Sequence, residues 1–162
     1  MSDNGFTPSI VVFACNWCSY AGADTAGISR IQYSPHIRVI RVMCSGRINP
    51  EFVLHAFAQG ADGVAVTGCH FGDCHYLFGN HRQVDIFART KALVTTLGLE
   101  EDRVDLEWIS AAEGVRYGEY MNEFVEKIRG LGMSPIRAAL EAKKAAGSTE
   151  RPAEEPVAEV MP

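Results

Sequence analysis

The sequence has no apolar run that approaches the roughly 20 residues of a membrane-spanning helix, so we expect no membrane association. Its first residues, MSDNGFTPS, lack the charged start and the apolar core of a secretory signal. Lysine and arginine form no basic stripe, and the net charge is -5, which argues against a nucleic-acid partner. These absences predict a cytoplasmic protein.

The chain nevertheless contains five cysteines, which need an explanation in a reducing compartment. Structural disulfides are rare there, and a chain with 47% hydrophobic residues can bury a core without them. Clustered cysteines in this setting more often bind a metal or carry out redox chemistry. The five residues are Cys15, Cys18, Cys44, Cys69 and Cys74.

Strand patterns alternate with helix patterns along most of the chain. The predicted strands are 10–15, 37–44, 63–69 and 104–110. The predicted helices are 23–32, 50–60, 82–97 and one that begins after a possible capping box at Ser110 and Glu113. This order predicts a single α/β domain over residues 8–132, with a mostly parallel four-stranded sheet and flanking helices in a flavodoxin-like order, 2-1-3-4. The fourth strand alternates apolar and acidic residues, which places it at a sheet edge.

Apolar spacing also predicts which side of each later helix is buried. In the third helix we expect Ile86, Leu93 and Leu97 on the inner side. The last helix of the domain has one clean apolar face, formed by Tyr117, Tyr120, Met121, Phe124, Val125 and Ile128. We expect one more short helix within residues 133–145. Residues 146–162, with four glutamates and one arginine, are expected to be a disordered acidic tail.

The cysteines fall at the ends of predicted strands or in the loops that follow them. Cys15, Cys44 and Cys69 end the first three strands, whereas Cys18 and Cys74 lie in the next loops. Because parallel strands end at the same edge of a sheet, all five thiols should converge on one rim. Open α/β folds usually bind their ligands at this rim.

Three chemistries compete for such a set of thiols. An iron–sulfur cluster takes four thiolates from separate short segments. A structural zinc ion also takes four, but a domain of this size needs no metal in order to fold. A dithiol motif at Cys15 and Cys18 would leave the other three cysteines unexplained. The iron–sulfur hypothesis accounts for the most residues, and with five cysteines available, ligation by His70 or His75 is unnecessary.

Several neighbours suit a buried cluster. Arg47 and Arg82 offer positive charge that would offset an anionic centre or steer a partner, although each taken singly reads as a solvated surface residue. Trp17 lies between two cysteines, where it would limit water access or contact a partner protein. Glycines near the cysteines allow close backbone approach.

The cysteines lie in two segments, ACNWCSYAGADTAG and IRVIRVMCSGRINPEFVLHAFAQGADGVAVTGCHFGDCHY. These segments closely resemble the delta subunit of methyl-viologen-reducing hydrogenase. The likeness continues through LEWISAAEG and NEFVEKI, and leaves the tail unmatched.

The resemblance implies a non-catalytic subunit that carries a 2Fe–2S cluster and bridges two enzymes. In that family electrons come from the small subunit of a nickel–iron hydrogenase or, in some complexes, from formate dehydrogenase. They pass to the flavin-containing A subunit of heterodisulfide reductase, where flavin-based electron bifurcation takes place during methanogenesis.

Five candidates exceed four ligand positions, so the ligand set stays open. Pairing favours Cys15 with Cys18 and Cys69 with Cys74, and makes Cys44 the weakest candidate; strand-end geometry could equally use Cys44. Two other functions remain as alternatives. One is a zinc-stabilised adaptor that docks complexes together, and the other is a dithiol oxidoreductase that uses Cys15 and Cys18.

Overall fold

A computed structural model describes residues 6–147, and residues 1–5 and 148–162 lie outside it. The acidic tail expected over residues 146–162 therefore falls almost entirely outside the described residues. The described part is an α/β domain followed by one further helix.

Four parallel strands form one sheet in the order β2-β1-β3-β4, which confirms the predicted order. They are β1 (Ile10–Cys15), β2 (Ile37–Val42), β3 (Gly63–Gly68) and β4 (Val104–Trp108). The central strands β1 and β3 are almost wholly buried, as their continuous apolar runs indicate. β4 lies at one edge, as its apolar–acidic alternation predicts.

Among the described residues the strands are joined and flanked by five helices. These are α1 (Ser19–Ile28), α2 (Pro50–Ala58), α3 (Gly79–Thr96), α4 (Gly114–Leu131) and α5 (Pro135–Gly147). α2 starts as its sequence predicts, because the Asn49 side chain accepts a hydrogen bond from the Phe52 N–H at 3.3 Å and Pro50 occupies the first helical position. No helix in residues 6–147 has both the length and the apolar character needed to cross a bilayer.

The helices cover both faces of the sheet. α2 and α3 pack on one face, where Phe57 and Phe87 join Phe13 and Val66 in an apolar core. α1 and α4 pack on the other face. There the predicted apolar face of α4 is buried as expected, with Tyr117, Tyr120, Met121, Phe124, Val125 and Ile128.

The prediction for the inner side of α3 was wrong. Leu93 and Leu97 are exposed, and Ile86 is only partly buried. The buried side consists of Asn80, Gln83, Phe87, Thr90 and Val94. Polar side chains are buried there because they have hydrogen-bond partners. With its amide turned so that the nitrogen faces two carbonyl oxygens, Gln83 donates to Ser45 at 2.6 Å and to Ile48 at 3.1 Å.

α1 and α4 pack against each other along a seam of two glycines. A Cβ atom at Gly22 would lie 2.8 Å from the carbonyl oxygen of Ser110, and one at Gly114 would lie 2.7 Å from the backbone nitrogen of Ala26. Real side chains do not tolerate such distances, so only glycine permits this approach. α1 therefore meets the start of α4 and the loop before it backbone to backbone.

The amino-terminal end of the sheet is closed by a buried polar network. Arg103 is 1% exposed and donates to both carboxylate oxygens of Glu100, and to the carbonyl oxygens of Asp62 at 3.1 Å and Gly132 at 2.9 Å. The Asp62 side chain is buried and accepts from the Arg137 guanidinium at 2.5 Å. These contacts fasten α4 and α5 to the starts of β3 and β4.

Candidate metal centre at the carboxyl edge of the sheet

The carboxyl ends of β1, β2 and β3 bring the cysteines to one edge of the sheet. Cys15 is the last residue of β1, and Cys69 directly follows β3. Cys44 lies two residues beyond β2, because that strand ends at Val42 and not at residue 44 as predicted. Cys18 and Cys74 occupy the loops after β1 and β3, and all five cysteines are free and buried.

Three of the sulfur atoms form a compact group. The Sγ atoms of Cys15, Cys18 and Cys69 all lie within 4.8 Å of one another. Cys15 Sγ and Cys69 Sγ are 3.8 Å apart, which is far longer than a disulfide bond. Among residues 6–147, this is the group of metal-donor side chains close enough to share one ion or cluster.

The other two sulfur atoms meet around Gly79, the first residue of α3. A Cβ atom at this position would collide with Cys44 Sγ and would lie 3.2 Å from Cys74 Sγ. Both sulfurs therefore occupy space that any other residue at position 79 would fill. Burial raises the pKa of Cys44, and the neighbouring Cys74 and Cys15 raise it further, so Cys44 lies near sulfurs of both groups.

Polar side chains that the sequence analysis overlooked hold the cysteine loops in place. The Ser19 hydroxyl accepts a hydrogen bond from the Cys15 N–H at 3.0 Å and donates to the Thr67 carbonyl oxygen at 3.1 Å. The Asn80 amide donates to the carbonyl oxygens of Cys69 at 3.2 Å and His70 at 2.7 Å. Their positions in the sequence could have indicated this role, because Ser19 directly follows Cys18 and Asn80 lies six residues after Cys74.

Hydrogen bonding within the group of three thiols shifts their pKa values in opposite directions. The pKa of Cys15 is held well below its usual range, first because the Cys18 and Cys69 thiols donate hydrogen bonds to its sulfur. The pKa values of Cys18 and Cys69 are raised, first because each loses its hydrogen bond with Cys15 on ionising, and also because burial disfavours a charge. A bound cationic centre would lower the pKa of all three thiols and so stabilise the three thiolates.

The two histidines beside the cysteines have other partners. His70 Nε2 lies 2.7 Å from a carboxylate oxygen of Glu113, and that oxygen also accepts from the Ser110 N–H at 2.7 Å. The capping box predicted at these two residues was wrong, because α4 begins at Gly114 with Glu113 as its N-cap, and the Ser110 contact closes the turn before the helix. His75 stacks on Trp17, with ring centroids 3.9 Å apart. Neither histidine belongs to the compact metal-donor group.

Comparison with known proteins decides the family. The family described as methyl-viologen-reducing hydrogenase, delta subunit, matches residues 10–132. The chain belongs to this family. The match spans the whole sheet and all five cysteines, and confirms the resemblance seen in the cysteine segments.

Individual relatives agree with this assignment. A protein from Methanococcus voltae, named as the iron-sulfur subunit of the vhc F420-non-reducing hydrogenase, is 52% identical over 137 residues, covering 85% of this chain and 94% of that protein. A protein from Archaeoglobus profundus, also named as the iron-sulfur subunit of an F420-non-reducing hydrogenase, is 53% identical over 125 residues, covering 77% and 91%.

A third relative is much longer than this chain. It comes from Methanosarcina acetivorans and is named as the A subunit of a ferredoxin/F420H2-dependent CoB-CoM heterodisulfide reductase. It is 52% identical over 128 residues, which cover 77% of this chain but 16% of that protein. In that protein, a domain of this family is therefore joined to a larger chain.

Proposed function

We propose that this chain is an electron-transfer subunit that holds a 2Fe–2S cluster and catalyses no reaction itself. The observation that carries the proposal is the buried group of Cys15, Cys18 and Cys69, whose sulfur atoms lie within 4.8 Å of one another in a chain of this family. Relatives that match nearly their full length are named iron-sulfur subunits.

The residues present fit such a cluster. Iron–sulfur centres prefer thiolate ligands, and five free thiols are buried at one edge of the sheet. Three are already mutually close, and Gly79 leaves room beside the two others. Cys15, Cys18 and Cys69 supply three ligands in this proposal, and Cys44 or Cys74 supplies the fourth.

The chain's own groups hold the ligands and adjust their charge. When bound, the cluster supplies a site that accepts and releases one electron at a time. The backbone at Trp17 and Ser45 acts to lower the pKa of Cys15, and the backbone at His75 acts in the same direction on Cys69. Backbone hydrogen bonds to sulfur stabilise thiolates and raise the reduction potential of a centre that they hold.

The partners in this proposal are two redox enzymes. The donor is a nickel–iron hydrogenase, through its small subunit, or formate dehydrogenase; hydrogenase is supported by the relatives' names. The acceptor is the flavin-containing A subunit of heterodisulfide reductase, which bifurcates electrons during methanogenesis. The relatives in which this domain is part of that larger reductase chain support the acceptor, because fused domains often correspond to separate chains that associate. We place the assembly in the cytoplasm.

Metal and sulfide analysis of anaerobically purified protein tests the proposal. We expect about two irons and two sulfides per chain, with visible thiolate-to-iron absorption. A colourless protein that contains zinc would instead support an adaptor role. A metal-free protein that forms a reversible disulfide between Cys15 and Cys18 and turns over a dithiol substrate would support an oxidoreductase.

Single Cys→Ser variants identify the ligands. We expect Cys15→Ser, Cys18→Ser and Cys69→Ser to lose or alter the cluster, because each removes a sulfur from the compact group. Of Cys44→Ser and Cys74→Ser, one should lose or alter it and the other should keep it. Iron content and the electron paramagnetic resonance signal of the reduced protein provide the measurement. Unchanged clusters in all of the first three variants would overturn the proposed site.

A further inference from the structure

An open groove of about 590 Å³ lies beside the Cys44–Cys74 pair. Its walls come from the end of β2, the turn after Cys44 and the start of α3. Cys44 and Gly79 form part of the lining, so the groove reaches one of the five buried cysteines directly. The remaining lining residues are Met43, Gly46, Arg47, Tyr76, Phe78 and Arg82.

Large apolar side chains project into solvent around this groove. Leu77 is 72% exposed and Phe78 is 71% exposed, while Met43 and Tyr76 are about half exposed. An isolated exposed apolar residue is ordinary, but a contiguous group of four at one edge indicates an interaction surface. We refer to Met43, Tyr76, Leu77 and Phe78 as the apolar rim.

The backbone of the apolar rim is strained at Leu77, whose side chain is exposed. Leu77 has a φ of 69°, in the left-handed region that glycine and asparagine adopt more easily. This conformation is unfavourable for a leucine, because its Cβ atom crowds the backbone there. Because the Leu77 side chain is 72% exposed, burial in the core does not account for this conformation, whereas a role in contacting another molecule does.

The loop that carries the apolar rim is also held in position. Trp17 stacks on His75, and its indole N–H donates to the Tyr76 hydroxyl at 3.2 Å. The Leu77 N–H bonds to the Cys74 carbonyl oxygen at 2.9 Å. An apolar surface that is ordered before contact loses less conformational entropy on binding.

The charge of the groove points to the kind of partner. Arg47 and Arg82 are exposed and line it, and within residues 6–147 its lining includes no acidic side chain. This local excess of positive charge stands out in a chain whose net charge is -5. Such a site attracts a surface bordered by carboxylates and steers it during diffusion.

We infer that the groove and its apolar rim are a docking surface for a redox protein whose contact face is apolar at the centre and acidic at its border. This inference rests on the proposed electron-transfer function, because the groove offers that partner a short path to the sulfur atoms. Electron-transfer encounters use small interfaces, which a rim of four side chains and two arginines can provide.

A pair of rim substitutions tests the inference. Leu77→Asn keeps a residue that tolerates a left-handed backbone, and Phe78→Ser places a good capping residue before α3, so neither disturbs the fold. The matched control is Ile28→Ser with Arg30→Glu, at the far end of α1 from the cysteines, where Ile28 is 86% exposed. With the cluster-loaded chain, affinity is measured for the purified hydrogenase and for the purified A subunit of heterodisulfide reductase.

We expect the rim variant to weaken binding to one of the two partners at least tenfold, while the control binds both as the parent chain does. Arg47→Glu with Arg82→Glu should slow association with the same partner and flatten its salt dependence. Iron content and visible spectrum are recorded for every variant. A parent chain without a cluster would refute the proposed function, and the same affinity comparison, made with that chain, would still decide the docking surface. Unchanged affinity of the rim variant for both partners would overturn the docking surface.

Discussion

The two ends of the sheet are built from different kinds of side chain. At the amino-terminal end, Arg103 and Asp62 are buried and saturated with hydrogen bonds to α4 and α5. At the carboxyl end, buried thiols face one another, and large apolar side chains stand in solvent next to them. The side chains at the amino-terminal end hold parts of the fold together, whereas those at the carboxyl end are thiols and exposed apolar groups.

This difference separates the part of the sheet that stabilises the fold from the part that holds the thiols. A buried polar network increases the free energy of unfolding, because its hydrogen bonds strengthen one another and break together. Thiols contribute little to stability as small apolar groups, but they supply ligands. Changes at the two ends should therefore be separable by measuring the free energy of unfolding and the iron content independently.

The largest effect on stability is expected from Arg103→Met. The substitution leaves the carbonyl oxygens of Asp62 and Gly132 without their guanidinium donor inside the protein. We expect the free energy of unfolding to fall by about 3 kcal/mol, with iron per folded chain unchanged. Urea unfolding followed by circular dichroism measures the first quantity, and metal analysis measures the second.

Arg116→Met is the matched control for this change. Arg116 forms ion pairs with Glu107 and Glu123 that are partly exposed. Pairs of that kind contribute between about 0 and 1 kcal/mol. Equal destabilisation by the two substitutions would show that burial of the Arg103 network does not matter.

The opposite separation is expected from Gly79→Ala. The added methyl group collides with Cys44 Sγ, so at least one sulfur must move. Alanine favours helix more than glycine does, and the fold should persist. We expect iron and sulfide per chain to fall by more than about half, with an unchanged far-ultraviolet spectrum.

Gly130→Ala controls for the change of residue type. Gly130 is also helical, and a Cβ atom there would meet nothing within 4 Å. We expect full iron content and a free energy of unfolding that is equal or up to about 1 kcal/mol higher. If Gly79→Ala also retained full iron content, the sulfurs around position 79 would not be part of the site.

The smallest effect concerns acid stability at the edge of the cysteine site. The Ser110 N–H, followed by His70, lowers the pKa of Glu113 from 4.5 to about 2. A carboxyl with a depressed pKa stabilises the fold above its ordinary pKa, and this contribution disappears as pH falls from about 4.5 to about 2. Because the side chain is 39% exposed, the contribution should be below about 1 kcal/mol.

Glu113→Gln measures that contribution. The free energy of unfolding of the parent chain should exceed that of the variant at pH 6, and the gap should narrow at pH 3. Glu119→Gln, an exposed change on the same helix, is measured at both pH values as the matched control. A gap for Glu113→Gln that widens toward pH 3 would contradict the direction of the pKa shift.

The sheet and the meeting of the cysteines follow from simple patterns in the sequence. Continuous apolar runs mark β1 and β3, and the parallel order places residues 15 and 69 side by side. The start of α1 was harder to predict. Gly22 weakens helix propensity, so the helix was expected from residue 23. It begins at Ser19 instead, and the helical backbone at Gly22 packs closely against the Ser110 carbonyl.

Other features depend on contacts that no local pattern reveals. Gln83 and Thr90 are buried in α3 while Leu93 is exposed, because the helix turns its polar residues toward backbone partners. Arg103 lies in the run EEDRVD, which reads as a solvated surface. Its burial is decided by the carbonyl groups of loops distant in sequence, which only the folded chain brings together.

The close backbone contact at Gly22 has a consequence for Cys18, the residue that precedes α1. The backbone at Gly22 meets the Ser110 carbonyl oxygen directly, so a side chain at position 22 would push α1 away from that loop. Cys18 is carried at the start of the same helix, and its place at the edge of the sheet therefore depends on a glycine four residues later.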